Sequence, residues 1–393
     1  MILSLRPRWL EPLLGGLDKT YRLHKWLGIG ALGLAVFHWL WSKAPKWAVG
    51  AGLLSRPARG PRPEITDPVH GFLLSLRGTA EGLGEWAFYA MAILLAIALV
   101  KLIPYRLFRY SHRLVAVAYL VLVFHSFVLV DYSTWLTPMG PLLAALMIAG
   151  SYAAGVSLLG RIGTGRRVAG KIVELVNYPG IRSLRTTIRM NPGWPGHRPG
   201  QFAFVTSNQG EGAHPYTIAS AWKPQDPRLS FITKELGDHT TGLVDKLSVG
   251  QDVTIEGPYG CFTFEDELPQ QIWIGAGIGI TPFIARLNEL ATVAPNGRRQ
   301  RIDLFHSTRE IDAAALDQLA EDARAARIRL HVVINTRDGR LTGQRIREAV
   351  PDWAGSSIWF CGPVEFGQAL REDFAAQGFP VEQRYHQEFF EMR

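Results

Sequence analysis

Four histidines near the start of the chain stand as two matched pairs: His24 with His38, fourteen residues on, and His112 with His125, thirteen residues on. At 1.5 Å of rise per residue, a helix separates the members of the two pairs by about 21 Å and about 20 Å. His24 and His112 then share one depth, and His38 and His125 another. Imidazole is a standard axial ligand of haem iron, so two stacked bis-imidazole haem sites are the direct reading. In an ideal helix, fourteen residues return a side chain to within about 40° of the same face, whereas thirteen leave it about 140° away. The His112–His125 stretch must therefore be distorted, as by a π-bulge, or present its rings on two faces. A histidine that only hydrogen-bonds between helices is the plain alternative for any one of them. It fits four at matched depths poorly.

A second constellation lies downstream. Gly275-Ala276-Gly277-Ile278-Gly279-Ile280-Thr281-Pro282 follows an apolar strand and opens a helical pattern. Glycines let backbone approach a pyrophosphate seated on the positive end of a helix, and Thr281 and Pro282 suit the N-cap and first turn. The next strand ends His306-Ser307-Thr308-Arg309. A site built for NADH would place a carboxylate there. Ser307 and Arg309 instead suit a 2′-phosphate, so NADPH is favoured over NADH. A solvated basic loop is the alternative.

The elements that must carry these residues divide the chain in two. Apolar runs at about 23–41, 86–103, 114–130 and 141–159 each have the length to cross a bilayer as a helix. Charged residues are 19% of the 393-residue chain and the mean hydropathy is +0.06, which excludes a disordered or collagen-like chain. Two cysteines, Cys261 and Cys361, are too few for a disulfide scaffold or a cysteine-built metal site. The net charge of +8 gathers beside the apolar runs. Arg6, Arg8, Lys19, Arg22 and Lys25 precede or open the first; Lys101, Arg106, Arg109 and Arg113 join the second and third; Arg161, Arg166, Arg167 and Lys171 follow the fourth. The 131–140 loop has no Lys or Arg. This places the three clusters and the C-terminal half in the cytoplasm, with the long 42–82 loop outside despite its six basic residues. The positive charge thus reflects membrane topology, and no nucleic-acid partner is expected. Short strands at 168–175, 186–189, 202–206 and 229–233 predict a small antiparallel barrel. Apolar strands at 271–275, 301–306, 328–335 and 357–361, alternating with helical patterns, predict a parallel α/β sheet.

Four further segments complete the inventory: His214-Pro215-Tyr216-Thr217-Ile218-Ala219-Ser220, Lys234-Glu235-Leu236-Gly237-Asp238-His239-Thr240-Thr241, Gly257-Pro258-Tyr259-Gly260 and Phe360-Cys361-Gly362-Pro363. With the histidine pairs and the glycine motif, they resemble the transmembrane ferric reductase / NADPH oxidase superfamily over almost the whole chain. Family members commonly have six spans against the four expected here, and Met1–Leu14 resembles the tail of a further helix. The resemblance implies a multi-domain protein: an α-helical transmembrane bundle (1–160), an antiparallel β-barrel FAD domain (161–266) and an α/β nucleotide-binding domain (267–393). It assigns His24 and His112 to an inner b-type haem, and His38 and His125 to an outer one. Tyr216 would stack on the flavin and Thr217 donate to its N5/O4 edge, with His214, Pro215, Ile218 and Ser220 completing the contact. Gly237, Thr240, Thr241 and Lys234 would bind the FAD pyrophosphate; Gly257–Gly260 is a structural turn that closes the barrel. Cys361, with Gly362 and Pro363, would sit beside the nicotinamide. A C-terminal aromatic, Phe390 or its neighbour Phe389, would cover the flavin.

The implied activity is electron transfer from cytoplasmic NADPH through FAD and two haems to an acceptor outside the cell (inner) membrane, such as ferric iron, dioxygen or a periplasmic redox protein. A haem-free membrane-anchored flavin reductase and a non-enzymatic haem sensor or transporter are the alternatives.

Overall fold

The computed structural model describes residues 1–55, 67–100, 102–103, 105–208, 210–237, 240–292 and 300–388. The chain forms two compact units, one from residues 1–7 and 20–162, the other from 8–19 and Gly163 onward.

The first unit is helical. After a short α1 (Leu10–Leu14) come α2 (Leu17–Gly50), α3 (Pro68–Leu99), α4 (Tyr105–Leu129) and α5 (Met139–Leu158). Three helices among the described residues are long and apolar enough to span a membrane: Pro68–Leu99, Leu107–Leu129 and Met139–Leu158. The expected first span falls short, because His24, Lys25, His38 and several glycines and tryptophans dilute the apolar run of α2. The expected long outer loop also shrinks. α2 continues to Gly50, and α3 begins at Pro68, where the Asp67 carboxylate accepts from the backbone N–H of Val69 (2.8 Å) and His70 (3.0 Å). Pro68 occupies the first turn, where its missing N–H costs nothing. Small residues let the helices close on one another: on α5, an added Cβ at Gly150 would lie 1.9 Å from the Tyr119 hydroxyl of α4. Outward faces are apolar, with Leu34, Ile93 and Ile148 at least 61% exposed. These are surfaces suited to lipid rather than water.

The second unit opens with an antiparallel sheet of β1 (Arg167–Tyr178), β2 (Ser183–Met190), β3 (Phe202–Thr206), β4 (His214–Thr217), β5 (Arg228–Lys234) and β6 (Asp252–Tyr259), in the order β4-β3-β6-β1-β2-β5. Among the described residues one isolated bridge, Ile218 to Phe231, links the outer strands, and the strand pairing does not by itself show a closed barrel. Gly257–Tyr259, expected as a turn, ends β6 as paired strand, with Tyr259 buried and donating to Glu256 Oε1 at 2.9 Å. The short α6 (Leu243–Lys246) precedes β6.

A parallel sheet follows, ordered β11-β10-β7-β8-β9: β7 (Gln270–Ala276), β8 (Arg301–Thr308), β9 (Arg329–Ile334), β10 (Ser357–Cys361) and β11 (Tyr385–Glu388). Helices α7 (Thr281–Leu290), α8 (Ala313–Ala325), α9 (Asn335–Asp338), α10 (Gly343–Ala349), α11 (Val364–Ala376) and α12 (Val381–Arg384) connect them. One apolar cluster gathers Trp273, Phe283, Leu304 and Trp359, and another Ile274, Phe305, Phe360 and Phe374. Phe283 is wholly buried, so Phe283→Ala would cost about 3–5 kcal/mol. The central strand β7 is buried along its whole length and delivers the glycine motif at its end.

Candidate functional site

In the helical unit, His24 on α2 and His112 on α4 face each other, ring centroids 6.1 Å apart and planes at 89°. Imidazole–metal bonds of about 2 Å put two rings on opposite sides of one metal at about this spacing. His112 also stacks on Phe108 at 5.1 Å, and its Nδ1 is buried without a hydrogen-bond partner. An unpaired buried polar atom is costly unless something meets it, and the two rings therefore fit a metal-centred group between them.

The outer pair is less assembled. α4 is α-helical from Tyr105 to Leu129, so the thirteen-residue spacing resolves into two faces: His112 looks to α2, and His125 to α3. The Nδ1 of His125 lies 2.8 Å from the carbonyl oxygen of Ala80. His38 is exposed and meets no ring or hydrogen-bond partner among the described residues. Lys101 lies outside the described residues.

In the second unit, β4 carries His214 to Thr217, with Pro215 opposite Phe204 of β3. Tyr216 packs edge-on to Phe231 at 6.3 Å; its hydroxyl is buried without a partner, and burial pushes its phenol well above the usual value. That orphaned hydroxyl beside a small cavity lined by Thr186, Ser207 and Thr233 is what a flavin contact would satisfy. Thr217 and Ile218 are buried. Ser220 is engaged within the protein: its hydroxyl accepts from Ser230 N–H at 3.0 Å, and its carbonyl from His197 Nε2 at 2.8 Å.

The expected pyrophosphate stretch folds on itself. Thr240 Oγ1 accepts from Leu236 N–H (2.9 Å), and Thr241 Oγ1 donates to the Gly237 carbonyl (3.0 Å). Asp238 and His239 lie outside the described residues. Lys234 pairs with Glu310, which Arg182 also holds at 2.8 Å. These bonds, Lys234's first, keep the Glu310 carboxyl below its usual value. The positive charge expected of Lys234 is thereby neutralised.

The glycine motif works through close approach. A Cβ on Gly279 would lie 2.2 Å from the Cys361 carbonyl oxygen, and one on Gly362 2.7 Å from Ala276 Cβ. Gly275 has Ile280 Cα at 2.9 Å, whereas Gly277 has open space but a φ of +56°. Two of the motif's glycines are thus steric and one conformational. Thr281 is the first helical residue of α7 rather than its N-cap; its hydroxyl donates back to the Ile278 carbonyl at 2.7 Å, and Pro282 follows in the first turn. Pro363 stands immediately before α11.

At the end of β8, Ser307 is buried and donates to Asn335 Oδ1 at 2.9 Å, so it is spent inside the fold, while Arg309 is exposed. His306 donates from Nδ1 to the Gly275 carbonyl at 3.2 Å; burial lowers its pKa to about 4 and keeps it neutral. A cleft of about 160 Å³, lined among others by Ser220, Lys234, Gly277, His306, Thr308 and Glu310, runs between the two sheets.

Cys361 is fully buried, and its Sγ donates to Glu388 Oε2 over 4.0 Å. Burial, then the neighbouring Glu388, drives the thiol well up, and burial does the same for the Glu388 carboxyl. Glu388 and Glu310 escaped sequence reasoning. The first sits beside the expected terminal aromatic and the second one residue past Arg309, which were the available signals. Phe389 and Phe390 lie outside the described residues.

Residues 1–123 match the family described as ferric reductase like transmembrane component, and residues 173–263 match an FAD-binding domain. Among curated proteins, the stachydrine N-demethylase reductase subunit Stc4 of Rhizobium meliloti (strain 1021) is 30% identical over 49% of this chain and 58% of its own length. Respiratory burst oxidase homolog protein E of Arabidopsis thaliana is 27% identical over 64% of this chain and 29% of its own. The chain therefore spans little more than half of the first and less of the second. A solved flavohemoglobin from Malassezia yamatoensis, with bound FAD and heme, is similar at a TM-score of 0.51 and 16% identity, covering 82% of this chain and 98% of that one. That likeness concerns the fold alone. Two separate stretches of the chain thus match family models, one of a ferric reductase like transmembrane component and one of an FAD-binding domain.

Proposed function

We propose that this chain is an NAD(P)H-dependent membrane oxidoreductase, carrying electrons from a cytoplasmic dinucleotide through FAD and two b-type haems to an acceptor outside the cell membrane, ferric iron or dioxygen. FAD and haem, when bound, supply the splitting of a two-electron donor into single electrons and their passage across the bilayer. Residues 1–160 hold the haems, 161–266 the FAD and 267–393 the dinucleotide.

The chain's own groups bind and orient. Gly275, Gly277 and Gly279 with the start of α7 seat the dinucleotide pyrophosphate, and Arg309 meets a 2′-phosphate. Cys361, Gly362 and Pro363 flank the nicotinamide. Tyr216 and Thr217 would orient the flavin. His24 with His112, and His38 with His125, would hold the two haems.

The observation that carries this reading is the facing pair His24 and His112, 6.1 Å apart, within the segment that matches the ferric reductase component. The test is a difference spectrum of the detergent-purified chain after NADPH addition under nitrogen. Sharp b-type bands that weaken in His112→Ala are expected. Flavin bleaching with no haem band at any stage would overturn the reading in favour of an anchored flavin reductase.

A further inference from the structure

Helix α3 carries none of the four proposed ligands, yet it touches the ring of one and the helix of another. The Ala80 carbonyl can only accept, so His125 Nδ1, 2.8 Å away, must carry the proton and donate it. That leaves the lone pair on Nε2, the nitrogen available to a metal. One helical turn on, Gly84 makes room for the ring: a Cβ there would fall 1.9 Å from Nδ1 and 2.5 Å from Cε1 of His125. No other residue fits without moving the imidazole. The neighbouring residue faces the other way. Glu85 Oε1 pairs with Lys43 Nζ of α2 at 2.6 Å, and Trp39 of α2, adjacent to His38, stacks on Phe88 of α3 at 5.7 Å.

We infer that α3 positions the outer haem site, with Gly84 as the positioning residue that seats His125 and Ala80 as the backbone acceptor that sets its tautomer. The inference rests on the two-haem reading proposed above. A ligand imidazole whose second nitrogen donates to a carbonyl is held in orientation and made more basic, and loss of such a partner commonly costs about 10–100-fold in metal affinity.

The test compares Gly84→Ala with His125→Ala and with Gly150→Ala in the full detergent-solubilised chain, reading haem per chain and the midpoint potentials of each haem. Gly150 accommodates the Tyr119 hydroxyl just as tightly, and so reports the cost of crowding a helix contact that holds no ligand. The expected result is that Gly84→Ala halves the haem content, losing the component absent from His125→Ala, while Gly150→Ala keeps both. Retention of both haems at wild-type potentials in Gly84→Ala would overturn the inference. Should Gly84→Ala fail to accumulate, ¹⁵N NMR of histidine-labelled, haem-free wild type decides: a proton on His125 Nδ1 supports the inference, and one on Nε2 overturns it. A wild-type chain that takes up no haem refutes the proposed function instead, and the NMR result then stands by itself.

Discussion

In the helical unit, His24 and His112 meet ring to ring from two helices. In the reductase unit, Gly279 and Cys361 meet through backbone, so closely that a single methyl at Gly279 would strike the Cys361 carbonyl oxygen at 2.2 Å. One site is made of what its side chains supply and the other of what its glycines leave out. The two should therefore fail differently. Deleting a ring empties the first while leaving its helices in place; adding one carbon distorts the second while every polar group remains.

The largest effect should come from His112→Ala. Electron delivery to an outer acceptor is expected to vanish, while reduction of a soluble dye that draws directly on the flavin stays at the wild-type rate. A matching loss of dye reduction would break the comparison. Next, Gly279→Ala should slow NADPH-dependent dye reduction by about 100-fold, as expected when reacting groups shift by about 1 Å, with FAD content unchanged. A near-normal rate would show that the two loops can part without consequence.

A smaller effect is expected at Glu310, whose carboxylate occupies Lys234 and Arg182. Glu310→Gln should free both cations for a 2′-phosphate and lower KM for NADPH about tenfold relative to NADH. An unchanged ratio would place the dinucleotide's ribose elsewhere. The smallest effect concerns His306. With its folded pKa held to about 4 by burial, the unfolded chain takes up a proton first as pH falls below 6.5, and stability declines from there towards pH 4. His306→Gln should remove up to about 3 kcal/mol of that acid-side loss, seen as a smaller shift in the denaturant midpoint of FAD release between pH 7 and 4.5.

Strands at the heart of each sheet were readable from the residues: Phe202–Thr206 and Ser357–Cys361 lie where apolar runs between turn signals put them. Asp252–Tyr259 was hidden because Gly257 and Pro258 read as a turn, although the strand they end is paired on both sides. Tyr385–Glu388 is four largely polar residues on a sheet edge, which carries no alternation to detect. The helical extensions to Gly50 and from Pro68 were missed because Lys43, Lys46, Arg77, Glu81 and Glu85 interrupt the apolar pattern. Their role becomes visible only when Lys43 meets Glu85 across two helices. Of the candidate site, the residue types were legible and the partners were not. Ser307 looks free in sequence but is spent on Asn335, and Gly84 and Ala80 look like ordinary helix residues until the ring of His125 lies on them.

The contact between the antiparallel sheet and the parallel sheet is held by charge. Arg182 and Lys234 reach Glu310 from one side, and the Gly180 N–H donates to Asp312 Oδ2 at 3.0 Å nearby. This clasp is ionic and partly wet, not greasy. Mobile ions screen such charges over about 8 Å at physiological ionic strength, so the clasp tightens in dilute buffer and slackens in brine. If the dinucleotide binds in this cleft, as proposed, its entry and release would be tied to the salt of the compartment that bathes it.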